Sequence, residues 1–70
     1  MPYERNEDLP PAIRAHLPPQ AQDIYRAAFN HAWENYTARD RGEEIAHRIA
    51  WSAVKRRYRK AGERWVPIED

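Results

Sequence analysis

The sequence predicts a mainly α-helical fold: one short and two long helices in a small single domain, 1–70, closed by a minor two-stranded β-ribbon formed by the chain termini. Three observations carry this. Ala21, Ile24, Tyr25, Ala28, Phe29, Ala32, Trp33 and Tyr36 recur at helical spacing, and so do Ile45, Ala46, Ile49, Ala50, Ala53, Val54 and Tyr58. Outside both runs, Tyr3 and Trp65 stand beside Pro2 and Pro67 in segments without a helical period.

Taken in order, Met1-Pro2-Tyr3-Glu4-Arg5 reads as extended and Asn6-Glu7-Asp8 as a polar turn. Leu9-Pro10-Pro11 opens the short helix, because proline's missing N–H costs nothing in a first turn. Ile13 and Leu17 share one face of it. Pro18-Pro19 stops it, since a residue before proline avoids the helical region. The same prolines start the second helix, expected from Pro19 to Thr37, with Asp23 near its positive end. Ala38 to Gly42 reads as the connection. Glu43 and Glu44 suit the start of the third helix, which is expected to end near Ala61 with Gly62 as its stop. Arg64-Trp65-Val66 before Pro67 reads as a strand, with Pro2-Tyr3-Glu4 as its expected partner. Such a ribbon is marginal alone, so Tyr3 and Trp65 must also pack on the helices.

A chain of 70 residues with no cysteine has neither a disulfide nor a cysteine-based zinc site to reinforce it. Its eight aromatics (three Trp, four Tyr, one Phe) supply the large buried areas instead. No apolar run approaches the roughly 20 residues of a membrane helix and nothing resembles a signal peptide, so a cytoplasmic protein without a membrane span is expected. The net charge is only +1, yet it is bipolar: residues 55–64 carry a balance of +5, residues 1–54 one of −2, and Glu69 and Asp70 the rest.

Catalytic chemistry finds little to stand on. Ser52 is the single serine and Thr37 the single threonine, and neither has a spacing to His31 or His47 that would make a nucleophile beside an oriented base. No catalytic residue is assigned, and an enzyme is not expected. Glu43 and His47 are four apart and could face one way, but two ligands do not make a site; the plainer expectation is a surface hydrogen bond between them. No metal and no cofactor are expected. Direct cation binding would need Glu4, Glu7 and Asp8 to converge with other acids. The candidate surface lies on the third helix, where Arg48, Ser52, Lys55, Arg56 and Arg59 cluster within one arc at 100° per residue, bordered by Glu44. Such a stripe serves a protein partner or nucleic-acid phosphates, or simply solvates the helix. Arg57 points toward the apolar side and should snorkel outward or meet an acid. Trp51 reads as core, and as a binding anchor if exposed beside the stripe.

The same residues form a recognisable pattern. Met1-Pro2-Tyr3, Asp8-Leu9-Pro10, Leu17-Pro18 and Ala21-Gln22-Asp23-Ile24-Tyr25 resemble the ChaB family, as do Ala28-Phe29-Asn30 with Ala32-Trp33. Glu44 with Ala46-His47, Ala50-Trp51 with Ala53-Val54-Lys55, Tyr58 and Trp65 extend the resemblance over nearly the whole chain. It implies a small helical domain with a minor sheet near the termini. For function it implies a cation transport regulator linked to a calcium/proton antiporter, and it brings no catalytic residues. Viral relatives with proposed DNA-binding roles go with the nucleic-acid alternative. Set against the resemblance, the basic density at Arg56, Arg57 and Arg59 is extra, so the stripe is not expected to be a family site. The expected function is therefore a non-enzymatic regulatory module that binds a protein partner, such as the cytoplasmic face of a cation transporter, with nucleic-acid binding through the basic face as the alternative.

Overall fold

The computed structural model describes residues 3–36 and 41–68. A short 3₁₀ turn, Asn6–Asp8, leads into α1 (Pro11–His16), α2 (Pro19–Tyr36) and α3 (Gly42–Arg57), followed by β1 (Tyr58–Ala61) and β2 (Arg64–Pro67). The mainly helical class, with one short and two long helices and a two-stranded antiparallel sheet, is as the sequence predicts. The expected connection falls largely on residues 37–40, outside the described residues.

The core is the contact between α2 and α3. Ala21, Tyr25, Phe29 and Ala32 face Ala46, Ala50 and Val54, all at most 1% exposed. Small residues at Ala32, Ala46 and Ala50 let the helices approach closely, and Tyr25 and Phe29 fill the remaining space. Leu9, Ile13 and Leu17 close one end. Gln22 ties α1 to α2 by donating from Nε2 to the Leu17 carbonyl at 2.8 Å, which satisfies a carbonyl freed where α1 ends. Ahead of α3, Arg41 adopts a left-handed conformation (φ 65°, ψ 28°), and its carbonyl accepts from the Ile45 N–H at 2.9 Å.

The ribbon differs from expectation in its partner. β2 pairs with β1, in the register Tyr58↔Pro67, Arg59↔Val66, Lys60↔Trp65 and Ala61↔Arg64, and not with the N-terminal segment. That segment is held by α2 instead. The Asn30 side chain accepts from the Tyr3 N–H and donates to the Tyr3 carbonyl, both at 2.8 Å, as a strand neighbour would. Asn6 bridges Asp23 (2.7 Å) and Arg26 Nε (2.8 Å) one turn away. Once Asn30 satisfies the Tyr3 backbone, no ladder is left for β2 to join.

Helix α3 ends at Arg57, four residues before the expected end at Ala61. Tyr58 follows Ala50 and Val54 at intervals of four, so it meets the core equally well as the next helical turn or as the first strand residue; it is 6% exposed. Gly62 terminates no helix. It sits in the hairpin turn at φ +66°, the region glycine enters most cheaply.

Candidate functional site

Four of the five residues expected on the basic arc are arranged as predicted. Arg48, Ser52, Lys55 and Arg56 are exposed along one side of α3. Arg59 is exposed too, but on β1, beyond the helix end, where it faces away from buried Tyr58. Arg48 contacts Glu44 at 3.7 Å, and Glu44 also reaches Arg41 at 4.0 Å; pairs this exposed contribute little to stability. Lys55, Arg56 and Arg59 have no ion-pair partner among the described residues. Arg57 resolves its conflict by turning to solvent.

Beside this face runs a chain of rings along the α2–α3 seam. Trp33 stacks on Phe29 at 6.0 Å between ring centres, and Phe29 touches Tyr3 (4.8 Å) and His47 (4.6 Å). Tyr25 lies edge-on to Trp51 at 5.3 Å, and Trp51 tilts against Trp65 at 5.5 Å. Trp51 is therefore neither plain core nor free anchor. It is half-buried, with Tyr25 behind it and Trp65 in front. Trp51, Trp65, Lys55, Lys60 and His16 line a cleft of about 360 Å³. On the other side of Trp65, a larger cleft of about 720 Å³ separates β2 from the Leu17–Gln20 corner.

Lys60, Arg64 and His16 are the residues the sequence reasoning missed. With the third helix extended to Ala61, Lys60 had no reason to meet Trp65. Period-two alternation over 58–67 was the available signal, because it places Tyr58, Lys60, Trp65 and Pro67 on one face of a hairpin.

Glu43 and His47 do not form the expected hydrogen bond. Their Nε2 and Oε1 atoms are 3.8 Å apart, and the His47 hydrogen bond runs from Nδ1 to the Tyr25 hydroxyl. With a carboxylate facing Nε2, the favoured tautomer carries its proton there, so Nδ1 accepts and Tyr25 donates. Burial, reinforced by Tyr3, pushes the Tyr25 phenol well above its usual range and keeps it a donor. Burial also lowers the His47 pKa, with Glu43 opposing in part. No group of three or more His, Asp or Glu side chains converges as metal ligands among the described residues; Glu4, Glu7 and Asp8 are not gathered into one. No helix among those residues is long and apolar enough to cross a membrane.

Comparison with known proteins accords with this architecture. The ChaB family model matches residues 9–67. "Putative cation transport regulator ChaB" of Escherichia coli K12 is 46% identical over 66 aligned positions, covering 86% of this chain and 87% of that protein. The protein of the same name from Shigella flexneri shows the same identity and coverage. A solved structure described as "NMR solution structure of the putative cation transport regulator ChaB" superposes with a TM-score of 0.86 at 43% identity, covering 97% of this chain and all of that one. With a family match across most of its length and relatives this similar, the chain belongs to the ChaB family.

Proposed function

We propose that this chain acts as one domain, 1–70, that regulates cation transport by binding another protein without catalysing a reaction. The partner is the cytoplasmic face of a transporter, a calcium/proton antiporter being the first choice. The observation that carries the contact surface is the exposed set Lys55, Arg56 and Arg59, none ion-paired among the described residues and continuous with Arg48 and Ser52 along α3. Unneutralised charge on a rigid helix face accelerates encounter with an acidic partner and rejects basic ones. The names of the relatives favour a role in cation transport. Ser52 lies exposed on the same face.

The test is calcium flux in everted membrane vesicles containing the antiporter, with the native protein or an Arg56→Glu, Arg59→Glu variant added. A change in flux that the variant fails to produce is expected. An identical effect of both proteins would remove the basic face from the contact. The same free cations favour nucleic-acid binding as the second reading. Salt decides between them: phosphate-driven binding of labelled nucleic acid should collapse between about 50 and about 200 mM salt.

A further inference from the structure

The hairpin offers a feature that the helix face lacks, a strand edge with free main-chain groups. The Ile68 N–H donates to the Arg57 carbonyl at 2.9 Å, extending the ladder by one pair. Opposed residues in an antiparallel ladder alternate between hydrogen-bonded and non-bonded pairs. With Arg57 and Ile68 bonded, Arg59↔Val66 and Ala61↔Arg64 are bonded pairs, whereas Tyr58↔Pro67 and Lys60↔Trp65 are not. The N–H and C=O of Trp65 therefore point away from β1, toward the free edge. Pro67 fits this phase, because its missing N–H would also have pointed outward.

That edge does not face open solvent alone. It borders the cleft of about 720 Å³ whose far wall is Leu17, Pro18, Pro19 and Gln20. His16 braces the near end, its Nδ1 lying 3.2 Å from the Glu63 carbonyl. Side chains of Lys55, Lys60, Arg64 and His16 line the two clefts on either side of Trp65, and among the described residues no acidic side chain lines either.

We infer that this edge takes an extended acidic segment of the partner protein as a third strand, registered on the Trp65 backbone. The inference rests on the reading of the chain as a protein-binding module and adds where the partner docks and in what conformation. An unpaired edge supplies main-chain bonds to any extended peptide, and flanking side chains select among sequences. Here the Glu63 carbonyl is engaged by His16 and Pro67 has no N–H, so the addition is short and fixed in register. Acidic side chains on one face of the segment meet Arg64, apolar ones on the other lie against Trp65 and the Leu17–Pro18 wall, and Lys60 adds its positive charge from β1 on the Trp65 face. Nucleic acid would satisfy the cations but not the strand edge.

The test uses a labelled short peptide of alternating glutamate and valine, the same peptide N-methylated at alternate residues, and single-stranded DNA. Fluorescence polarisation follows binding, and NMR follows the Trp65 amide. Native protein is compared with Lys60→Glu, Arg64→Glu and with Arg48→Glu, Arg56→Glu, all at exposed positions. The expected result is that N-methylation and the Lys60/Arg64 reversal each weaken binding at least about tenfold, near 1.4 kcal/mol. The Trp65 amide shifts on binding, and N-methylation weakens binding to the Arg48/Arg56 variant by the same factor as to the native protein. Peptide binding that ignores N-methylation but is lost on reversing Arg48 and Arg56 would overturn the strand edge while leaving protein binding through α3 intact. Binding of DNA alone would overturn both. Absence of any peptide binding would overturn the strand addition.

Discussion

Replacing Tyr25 by phenylalanine removes one oxygen from the most buried part of the α2–α3 seam and leaves the ring in place. The ring contacts with Trp51 and His47 remain, so the loss isolates the hydrogen bond to Nδ1. A neutral hydrogen bond contributes about 0.5–1.5 kcal/mol net. The stranded Nδ1 adds little, because the His47 side chain is 28% exposed and water can reach it. About 1 kcal/mol is expected, or about 4–8 °C in Tm for a domain of this size. The effect depends on pH. Burial holds the folded His47 below the ordinary 6.5, so the unfolded chain takes up the proton first as pH falls. This contribution is complete above about 6.5 and declines as pH drops through the folded value. The Tyr25 hydroxyl stabilises the neutral imidazole, so Tyr25→Phe raises the His47 pKa and costs less at pH 5 than at pH 7.5. Urea unfolding at both pH values, with an NMR titration of His47, measures all three quantities. Equal destabilisation at both pH values with an unchanged titration would refute the assigned donor and acceptor.

Three further substitutions test the fold. Asn30→Asp keeps an acceptor for the Tyr3 N–H but opposes its carbonyl, and should cost about 1–3 kcal/mol in urea unfolding with faster exchange of the Tyr3 amide; an unchanged midpoint would deny Asn30 its clamping role. Phe29→Ala empties a site with no solvent exposure and should cost about 3–5 kcal/mol. Since a chain of this length has about 3.5–10 kcal/mol in total, thermal unfolding followed by circular dichroism should lose most of its cooperativity. Gly62→Ala finds nothing within 4 Å of the new Cβ, so its cost is conformational alone, about 1–2 kcal/mol from the left-handed turn; a neutral result would mean the turn relaxes freely.

The helices were legible because their signals are local: a 3.6-residue period from Ala21 to Tyr36, and prolines at the boundary between α1 and α2. The hairpin was missed because Tyr58 satisfies the core in either conformation, so the helical period runs on through it and masks the alternation over 58–67. The N-terminal segment was misplaced because its partner is one amide, Asn30, twenty-seven positions away. The basic face on α3 was readable by the same period, whereas the cationic cleft joins His16, Lys55, Lys60 and Trp65 from three elements. His47 shows the same limit. Its nearest acid in sequence, Glu43, suggested a partner, but the bond goes to Tyr25 on the facing helix.

Because α3 runs into β1 without a connecting loop, and Ile68 is bonded back to Arg57, the chain leaves the hairpin at its base. A tensile load applied beyond Ile68 meets the last carbonyl of α3 first and the Gly62 turn last. The ladder then yields one pair at a time, from Tyr58↔Pro67 first to Ala61↔Arg64 last. Anything fused there is mechanically in series with α3.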